Sequence, residues 1–341
     1  MRQSERGFSL MEITVVLAIV SSLMILTYKL IEETMVATLF NESHNDLTVL
    51  SQQAVNAIQT ELLQTKMVFE EDALGASYRA ALAIPAQYTV MTGSLLPVID
   101  TAKVIVTRDE VNTRFTGNAL LIVRQMPPVA VTYDHDGDKK TADVEFLADK
   151  YRFEYIFLRK DIASFARSGQ SLDLMLSTSD EYADYFQLNS LPSATAGKIV
   201  TKLIAAGLVR AWDPGKAVST AFYALSGATD GKFDAALGNP SISMTRTKTL
   251  LRGLLGAHIS GKMNYSVAFQ QASPKPQFPL TQPIPSFART DASLPNYPSG
   301  FEVKLVGPAG NRQVVTRVML MSFYRKNYET QQAIVTTAAR F

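Results

Sequence analysis

The sequence contains no cysteine in its 341 residues. Disulfide bonds, thiolate metal sites and cysteine nucleophiles are therefore excluded. Lysine and arginine are scattered along the chain and never form a run of five or more, and the net charge is only +2. No nucleic-acid-binding surface is indicated by such a distribution. A glycine-rich loop with its lysine is also missing, so the sequence offers no phosphate-binding loop of that type.

Proline and glycine are missing from most of the first quarter of the chain. The first proline is Pro85, and no glycine lies between Gly7 and Gly75. Beyond the start, apolar residues recur at steps of three and four, the spacing of one helix face: Val36, Phe40, Leu47, Leu50, Ala54, Ala57, Ile58 and Leu62. We therefore predict one continuous helix from Phe8 to near Glu70, whose amphipathic half, residues 29–70, is covered by a sheet.

The first part of this helix is almost uniformly apolar. Between Phe8 and Leu30 the only charged side chains are those of Glu12 and Lys29. About 20 mostly apolar residues in a helix are enough to cross a bilayer. Residues 8–28 are therefore predicted to be a transmembrane anchor.

The short polar segment before the anchor predicts its orientation. Residues 1–7 carry Arg2 and Arg6, and positively charged flanks tend to stay in the cytoplasm. No A-x-A-like cleavage site follows the apolar run, as it would in a secretory signal peptide. The change in character comes before the run, at Gly7. The bulk of the chain is expected to lie outside the cytoplasm.

The junction of these two segments resembles a known family. The motif Gly7-Phe8-Ser9-Leu10-Met11-Glu12, followed by the apolar Ile13–Ile19, is similar to the cleavage and methylation segment of type IV prepilins and type II secretion pseudopilins. The resemblance implies that residues 1–7 are a leader, that a prepilin peptidase cuts between Gly7 and Phe8, and that the new Phe8 amine is methylated. It also implies that Glu12 pairs with the Phe8 amine of a neighbouring subunit in a filament.

The same resemblance implies partners and a location. The partners are the prepilin peptidase, other pilin or pseudopilin subunits, and an inner-membrane assembly platform. The location is the bacterial inner membrane before assembly and the pilus or pseudopilus afterwards.

Glu12 is the unusual residue of the apolar run. A carboxylate at the bilayer centre is unfavourable by roughly 2.5–3.5 kcal/mol, and by less near the interface. One interpretation is that Glu12 reaches the headgroups by itself. The other is that it pairs with an amine among packed helices, where two desolvated charges attract more strongly than in water and select one axial register.

The predicted fold class is α+β: a long N-terminal helix packed on an antiparallel sheet, with an inserted mixed second lobe. Residues 71–163 form the head beside the helix. Its predicted strands are rich in Val, Ile, Tyr and Phe: Lys103–Thr107, Ala119–Gln125, Val129–Tyr133 and Tyr151–Leu158. The partial alternation at Arg152–Phe157 predicts one face open to water.

Three further blocks follow the head. Residues 164–270 are predicted to be the inserted lobe, with helices at 196–212 and 247–255 and a strand at 258–270. Residues 271–299 hold seven prolines between Pro274 and Pro298, which favours an extended connector. Residues 300–341 are predicted to be a closing hairpin and tail that rejoin the sheet.

One loop concentrates carboxylates. Five acidic residues lie within twelve positions: Asp134, Asp136, Asp138, Asp143 and Glu145. Carboxylates held about 4 Å apart repel by roughly 1 kcal/mol per pair in water, so their convergence would favour a hard cation such as Ca²⁺. The competing interpretation is a solvated hairpin loop, because Asp, Gly and Lys are ordinary turn residues.

Two named motifs fit this loop only in part. The acidic spacing resembles an EF-hand, but Gly137 stands at position four instead of six and the predicted flanks are strands. The strand followed by Asp134-His135-Asp136-Gly137 also resembles the opening of haloacid-dehalogenase phosphatases, in which Asp134 would be the nucleophile and Asp136 the acid/base. Asp138 replaces the usual Thr or Val, and a strand-like segment follows where a helix belongs.

No other set of residues predicts catalysis. Ser43, His44 and Asp46 are residue types of a catalytic triad, but neighbouring helix positions point in different directions. The prediction is therefore a non-enzymatic protein: a minor type IV pilin or pseudopilin in a priming or tip position. The alternative is a membrane-tethered, calcium-dependent binding or adhesin module, or a phosphatase, that shares only the export segment.

Overall fold

A computed structural model describes residues 9–90, 94–100, 117–134, 143–160, 171–255, 301–307, 312–324 and 327–339. Within these ranges the helices are α1 (Leu10–Leu62), α2 (Ala73–Ala81), α3 (Tyr185–Asn189), α4 (Ser193–Ala205) and α5 (Val218–Ala221). The strands are β1 (Thr65–Val68), β2 (Leu82–Ala83), β3 (Ile99–Asp100), β4 (Leu120–Tyr133), β5 (Val144–Lys160), β6 (Ser171–Asp184), β7 (Arg210–Trp212), β8 (Phe222–Ala224), β9 (Ile242–Leu255), β10 (Phe301–Val306), β11 (Arg312–Tyr324) and β12 (Asn327–Ala339). The α+β class is confirmed.

Helix α1 is continuous for 53 residues, about 80 Å at 1.5 Å per residue. It is uninterrupted because the segment has no proline or glycine to break it. The predicted end near Glu70 is wrong, since α1 ends at Leu62. Residues 65–68 instead pair with β4 as strand β1. Thr65 and Val68 are β-branched, and ladder pairing outweighs weak helix propensity there.

The strands form one curled, mostly antiparallel sheet. Its order is β1-β4-β5-β6-β9-β11-β10-β3, and β12 pairs with β11. Strands β10 and β11 form the predicted closing hairpin, in register from Phe301 opposite Val318 to Val306 opposite Gln313. Because β10 joins β3 and β11 meets β9, the hairpin rejoins the sheet as predicted.

The sheet has a covered face beneath the end of α1. Ile58 and Leu62 of α1 are buried against aliphatic residues of several strands. An aromatic cluster that includes Tyr78, Phe153 and Trp212 forms a second core. Burial of large side chains in both clusters is the main stabilising term, at roughly 1.5–3 kcal/mol per buried side chain.

The prediction that strand β5 has one face open to water is wrong for its central part. Phe153, Glu154, Tyr155 and Ile156 are all at most 1% exposed. The odd-numbered side chains join the aromatic cluster and Ile156 joins the aliphatic one. The alternation of apolar and charged residues therefore marks two covered faces, one of which carries a buried charge.

The separate second lobe predicted for residues 164–270 is not confirmed. Strands β6 and β9 from this block are central members of the main sheet, β6 lying between β5 and β9. The helix predicted at 247–255 is wrong, because these residues lie in β9. Pairing with β6 supplies their backbone hydrogen bonds, and long-range pairing of this kind is not visible in a local pattern. Within the described part of this block, the short helices lie in residues 185–241, between the two strands, and pack with Val131, Ala148 and Ala183 of the main sheet in a third apolar cluster.

The helix predicted at 196–212 is shorter than expected. Helix α4 ends at Ala205, and Gly207 then adopts a φ of +92°, the left-handed conformation that commonly ends helices. Trp212 therefore lies in strand β7, fully buried, and donates its indole N–H to the Tyr78 hydroxyl at 3.0 Å. The predicted strands Lys103–Thr107 and 258–270 and the connector 271–299 lie outside the described residues.

Candidate functional site

Glu12 lies at the start of α1 and takes part in its N-terminal cap. Ser9 is the N-cap residue, and its hydroxyl accepts the Glu12 backbone N–H at 3.2 Å. In return, the Glu12 carboxylate accepts the Ser9 backbone N–H at 2.9 Å. This reciprocal pair is a capping box, which satisfies two backbone donors that the helix cannot. A negative side chain there also complements the positive end of the helix dipole.

The predicted cleavage site lies just before this cap. Gly7 and Phe8 are outside the described residues, so their prediction as the processing site stays a prediction. Glu12 is the one member of the predicted N-terminal site whose surroundings the structure describes.

The helix beyond Glu12 is long and apolar enough to span a membrane. The candidate span runs from Leu10 to Leu39, which is 30 residues, and none of its apolar window is buried in the protein. Leu17 and Ile25, for example, are 59% and 61% exposed. A contiguous apolar surface of this size requires a partner other than water.

The Asp-rich loop connects β4 and β5, an antiparallel hairpin in which Tyr133 lies opposite Val144. Asp134 follows β4, Asp143 precedes β5, and Glu145 is an exposed residue of β5. Asp136 and Asp138 lie outside the described residues. Among the side chains that the structure describes, no three His, Cys, Asp or Glu residues are grouped so that they could hold a metal.

The surroundings of this loop weaken both motif resemblances. An EF-hand needs a helix on each side of the loop, and the phosphatase motif needs a strand that leads into a helix. Strands β4 and β5 stand on the two sides instead. In addition, Lys198 of α4 donates its ammonium group to the Asp134 carbonyl at 2.6 Å, which places a positive charge at the base of the loop.

A network of ion pairs joins the end of α1 to the sheet. Glu61 of α1 forms an ion pair with the Arg124 guanidinium of β4. Arg124 also donates to the Gln64 side chain at 2.8 and 3.0 Å and lies 3.8 Å from Glu154 Oε1. Lys248 Nζ of β9 lies 3.4 Å from Glu61 Oε1. Charged groups from α1, β4, β5 and β9 therefore meet at one place.

The inner end of this network is a fully buried carboxylate. Glu154 is 0% exposed and its Oε1 accepts from Arg152, with a separation of 3.0 Å to Nε. Its Oε2 has no hydrogen-bond partner among the described residues. Burial is the largest effect and raises the pKa of Glu154 above its usual range, while the hydrogen bond from Arg152 opposes the shift.

The sequence interpretation missed this network. The segment Arg152–Phe157, which holds Arg152 and Glu154, was predicted to be a strand with one face open to water, and Glu61 was not singled out. The available signal was the alternation of charged with aromatic residues in β5. It could not show that α1 covers this face, because the covering helix lies far away in the sequence.

An open cleft of about 370 Å³ lies beside the network. Arg152 lines it, together with Thr178 to Glu181 of β6, Ala206 to Val209 and two residues of β9. Strand β6 is irregular here, because the pairing register shifts between Arg152 and Glu154 and again between Thr178 and Ser179. The Ser179 hydroxyl fills the gap by accepting the Phe153 N–H at 2.9 Å.

A second buried carboxylate holds a lysine. Asp213 is 0% exposed, and Lys216 Nζ lies 2.7 Å from its Oδ2. The same ammonium is 3.4 Å from the Tyr223 hydroxyl and 5.6 Å from the Tyr185 ring centroid. Hydrogen bonding to Asp213 raises the pKa of Lys216 above its ordinary value. Through these contacts, Lys216 connects the turn before α5 to Tyr185 and Tyr223 of the third apolar cluster.

Comparison with protein-family models, with curated proteins and with solved structures found no match to this chain.

Proposed function

We propose that the chain is a minor type IV pilin or pseudopilin, a non-enzymatic subunit of a pilus or secretion filament. The observation that carries the proposal is Glu12 at the capped start of an exposed apolar helix, directly after a Gly7-Phe8 junction. Four features occur together within about 30 residues: a basic leader, the junction, the acidic residue and an unbroken apolar helix. The helix is itself long enough to span a bilayer. The helix alone is compatible with membrane anchoring.

The capping box supports a role for Glu12 in assembly. After cleavage at Gly7, the new amine would be one residue from Ser9, whose N–H already binds the Glu12 carboxylate. A carboxylate has about four lone-pair sites, so Glu12 can keep this bond and accept a neighbour's Phe8 amine. Without a membrane or a partner, Glu12 therefore stabilises its own helix start, and packing among apolar helices would add an intermolecular charge pair.

The size of the head favours a tip or priming position over repetition along a shaft. The sheet and its covering elements account for most of the described residues beyond α1. A head of this size would crowd its neighbours if every subunit carried one. The partners of the proposed subunit are prepilin peptidase, other pilin or pseudopilin subunits and an inner-membrane assembly platform.

The proposal is tested first at the mature N-terminus. Mass spectrometry of the chain from cells with active prepilin peptidase should find N-methylated Phe8 as the first residue. Recovery of an intact Met1 from such cells would overturn the proposal and favour a tethered binding module or enzyme that shares only the export segment.

Glu12 is tested by substitution. Glu12→Ala should insert into the membrane normally but enter filaments less often, because the charge pair that selects the register is lost. Glu33→Ala, a charge removal on an exposed position of the same helix, is the matched control and should assemble normally. Equal incorporation of both variants contradicts the assembly role of Glu12, and long homopolymers of the purified chain contradict the tip position.

A further inference from the structure

The ion-pair network lies where α1 enters the core. Ile58, Glu61 and Leu62 are each at most 7% exposed, whereas Val49 and Leu50, further up the helix, are 55% and 36% exposed. The last turns of α1 are therefore its most buried part among the side chains that the structure describes. The contacts of these turns fix how α1 meets the sheet.

Four charged residues form the chain of contacts, and we call them the clasp: Glu61, Arg124, Glu154 and Arg152. Arg124 stands in the middle, in contact with Glu61 of α1 and 3.8 Å from Glu154 of β5. Arg152 contacts the same carboxylate oxygen of Glu154, Oε1, that Arg124 approaches. One guanidinium is thus shared by two carboxylates, and the two carboxylates repel each other.

Both charged and uncharged side chains from β9, from β6 and from the segment after α1 surround the clasp. From β9, Lys248 reaches Glu61 at 3.4 Å, and Arg246 lies opposite Thr178 and lines the cleft with Arg152. From β6, the residue opposite Glu154 is the uncharged Thr178, and the residue opposite Arg152 is Glu181, which Lys150 holds at 2.6 Å. Gln64, just beyond α1, accepts from Arg124. Glu154 is the clasp member that has both an orphan oxygen and no contact with solvent.

We propose that the clasp is a proton-dependent device that tightens the attachment of α1 to the head when Glu154 takes up a proton. With Glu154 ionised, Arg124 divides its charge between two carboxylates that repel. With Glu154 neutral, the repulsion disappears and Arg124 pairs fully with Glu61. Arg152 loses its anion in this state, but it lines the open cleft and can turn towards water or Glu181.

The direction of the effect follows from the surroundings of Glu154. Burial in the folded head raises the pKa of Glu154 above its ordinary value of 4.5. For an acid with a raised pKa, the stabilising effect of the proton is fully present below pH 4.5 and is lost as the pH rises through the folded-state pKa. The clasp therefore holds α1 to the head more firmly at acidic pH than at neutral pH.

The clasp can be tested by distance measurement in the full-length chain in detergent micelles. Because the chain has no cysteine, spin labels can be placed at Gln59→Cys on α1 and Lys202→Cys on α4 without competing thiols. Both positions are exposed. The distribution of the label distance is then recorded by pulsed electron paramagnetic resonance between about pH 8 and about pH 4, so that the range extends below the ordinary pKa of a glutamate.

The distribution should narrow as the pH falls. Glu154→Gln mimics the protonated state and should give the narrow distribution at every pH, whereas Glu61→Gln removes the α1 side of the clasp and should give the broad one at every pH. Glu181→Gln, a charge removal next to the clasp, should keep the pH dependence. The fluorescence of the single, buried Trp212 checks that each variant is folded.

Two results would overturn the proposal. One is a distribution that does not change with pH in the unsubstituted chain. The other is a pH-dependent change that persists in folded Glu154→Gln or folded Glu61→Gln. If Glu154→Gln does not fold, Glu61→Gln alone decides, because the proposal requires that its distribution no longer responds to pH.

Discussion

Glu154 and Glu145 lie on the same strand in opposite surroundings. Glu145 is exposed beside the Asp-rich loop, whereas Glu154 is 0% exposed under the end of α1. Within ten residues, β5 therefore passes from an exposed position to a fully buried one. Burial raises the pKa of Glu154, and the residue type alone could not have indicated this burial.

Buried tyrosines show the same effect at alkaline pH. The Tyr78 hydroxyl accepts from Trp212 and donates to the Lys216 carbonyl at 2.8 Å. Burial raises the pKa of Tyr78 to about 12 and that of Tyr182 to about 12, from 10.0. The stabilising effect of the neutral hydroxyls is fully present below pH 10.0 and is lost as the pH rises through about 12.

We expect Tyr78 and Tyr182 to remain neutral at pH values at which the tyrosines of the unfolded chain already ionise. The ultraviolet absorbance of tyrosinate, followed during alkaline titration of the folded and the unfolded chain, measures this difference. Tyr78→Phe should cost about 1–3 kcal/mol of unfolding free energy, because the Trp212 indole N–H loses its acceptor. Tyr88→Phe, at a half-buried position, is the control. Simultaneous titration of all tyrosines near pH 10.0 in the folded chain contradicts the prediction.

At the scale of elements, α1 has two parts in different surroundings. The segment Leu10–Leu39 is exposed along its length and is apolar enough for a membrane. The last turns are buried against the sheet through Ile58 and Leu62. A helix of about 80 Å can serve both surroundings because it is much longer than the roughly 30 Å hydrocarbon core of a bilayer.

The buried end of α1 should contribute strongly to stability. Ile58→Ala and Leu62→Ala remove fully packed side chains, so each should lower the free energy of unfolding by about 2–5 kcal/mol. Val49→Ala, on the same helix but 55% exposed, should change it by less than about 0.5 kcal/mol. Denaturant unfolding of the full chain in micelles, followed by Trp212 fluorescence, gives these values. A loss at Val49 equal to that at Ile58 would show that the helix is covered differently.

At the scale of the whole molecule, the Asp-rich loop is the connection between the paired strands β4 and β5. Asp134 and Asp143 stand at the two strand ends, and the loop emerges beside α4, where Lys198 reaches the Asp134 carbonyl. Carboxylates that converge repel one another and attract a cation. Calcium binding at Asp134, Asp136, Asp138, Asp143 and Glu145 therefore stays a prediction that the whole chain can test.

Calcium should raise the midpoint of thermal unfolding if these carboxylates converge in the folded state. At a free concentration of about 100 times Kd, the stabilisation would be about 2.7 kcal/mol, and a chelator should reverse it. Asp134→Asn should abolish the shift, whereas Asp180→Asn, an exposed residue far from the loop in sequence, should leave it intact. An unchanged midpoint with calcium argues against a folded-state site.

The local pattern of the sequence determined the elements whose cause is local. Periodicity and turn residues determine the apolar start of α1, the long helix without proline or glycine, the closing hairpin and the α+β class. Glu12 could be singled out because one charge in an apolar run is visible without any structure. Its capping partner Ser9 also lies only three residues away.

Only the tertiary structure decided where distant segments meet. Pairing with β4 ended α1 at Leu62, and pairing with β6 made residues 247–255 a strand in the main sheet. The burial of Glu154 under α1 and its connection to Glu61 through Arg124 join residues that are far apart in the sequence. Such contacts depend on packing across the sheet, which no local spacing encodes, and for this reason the clasp could not be read from the sequence.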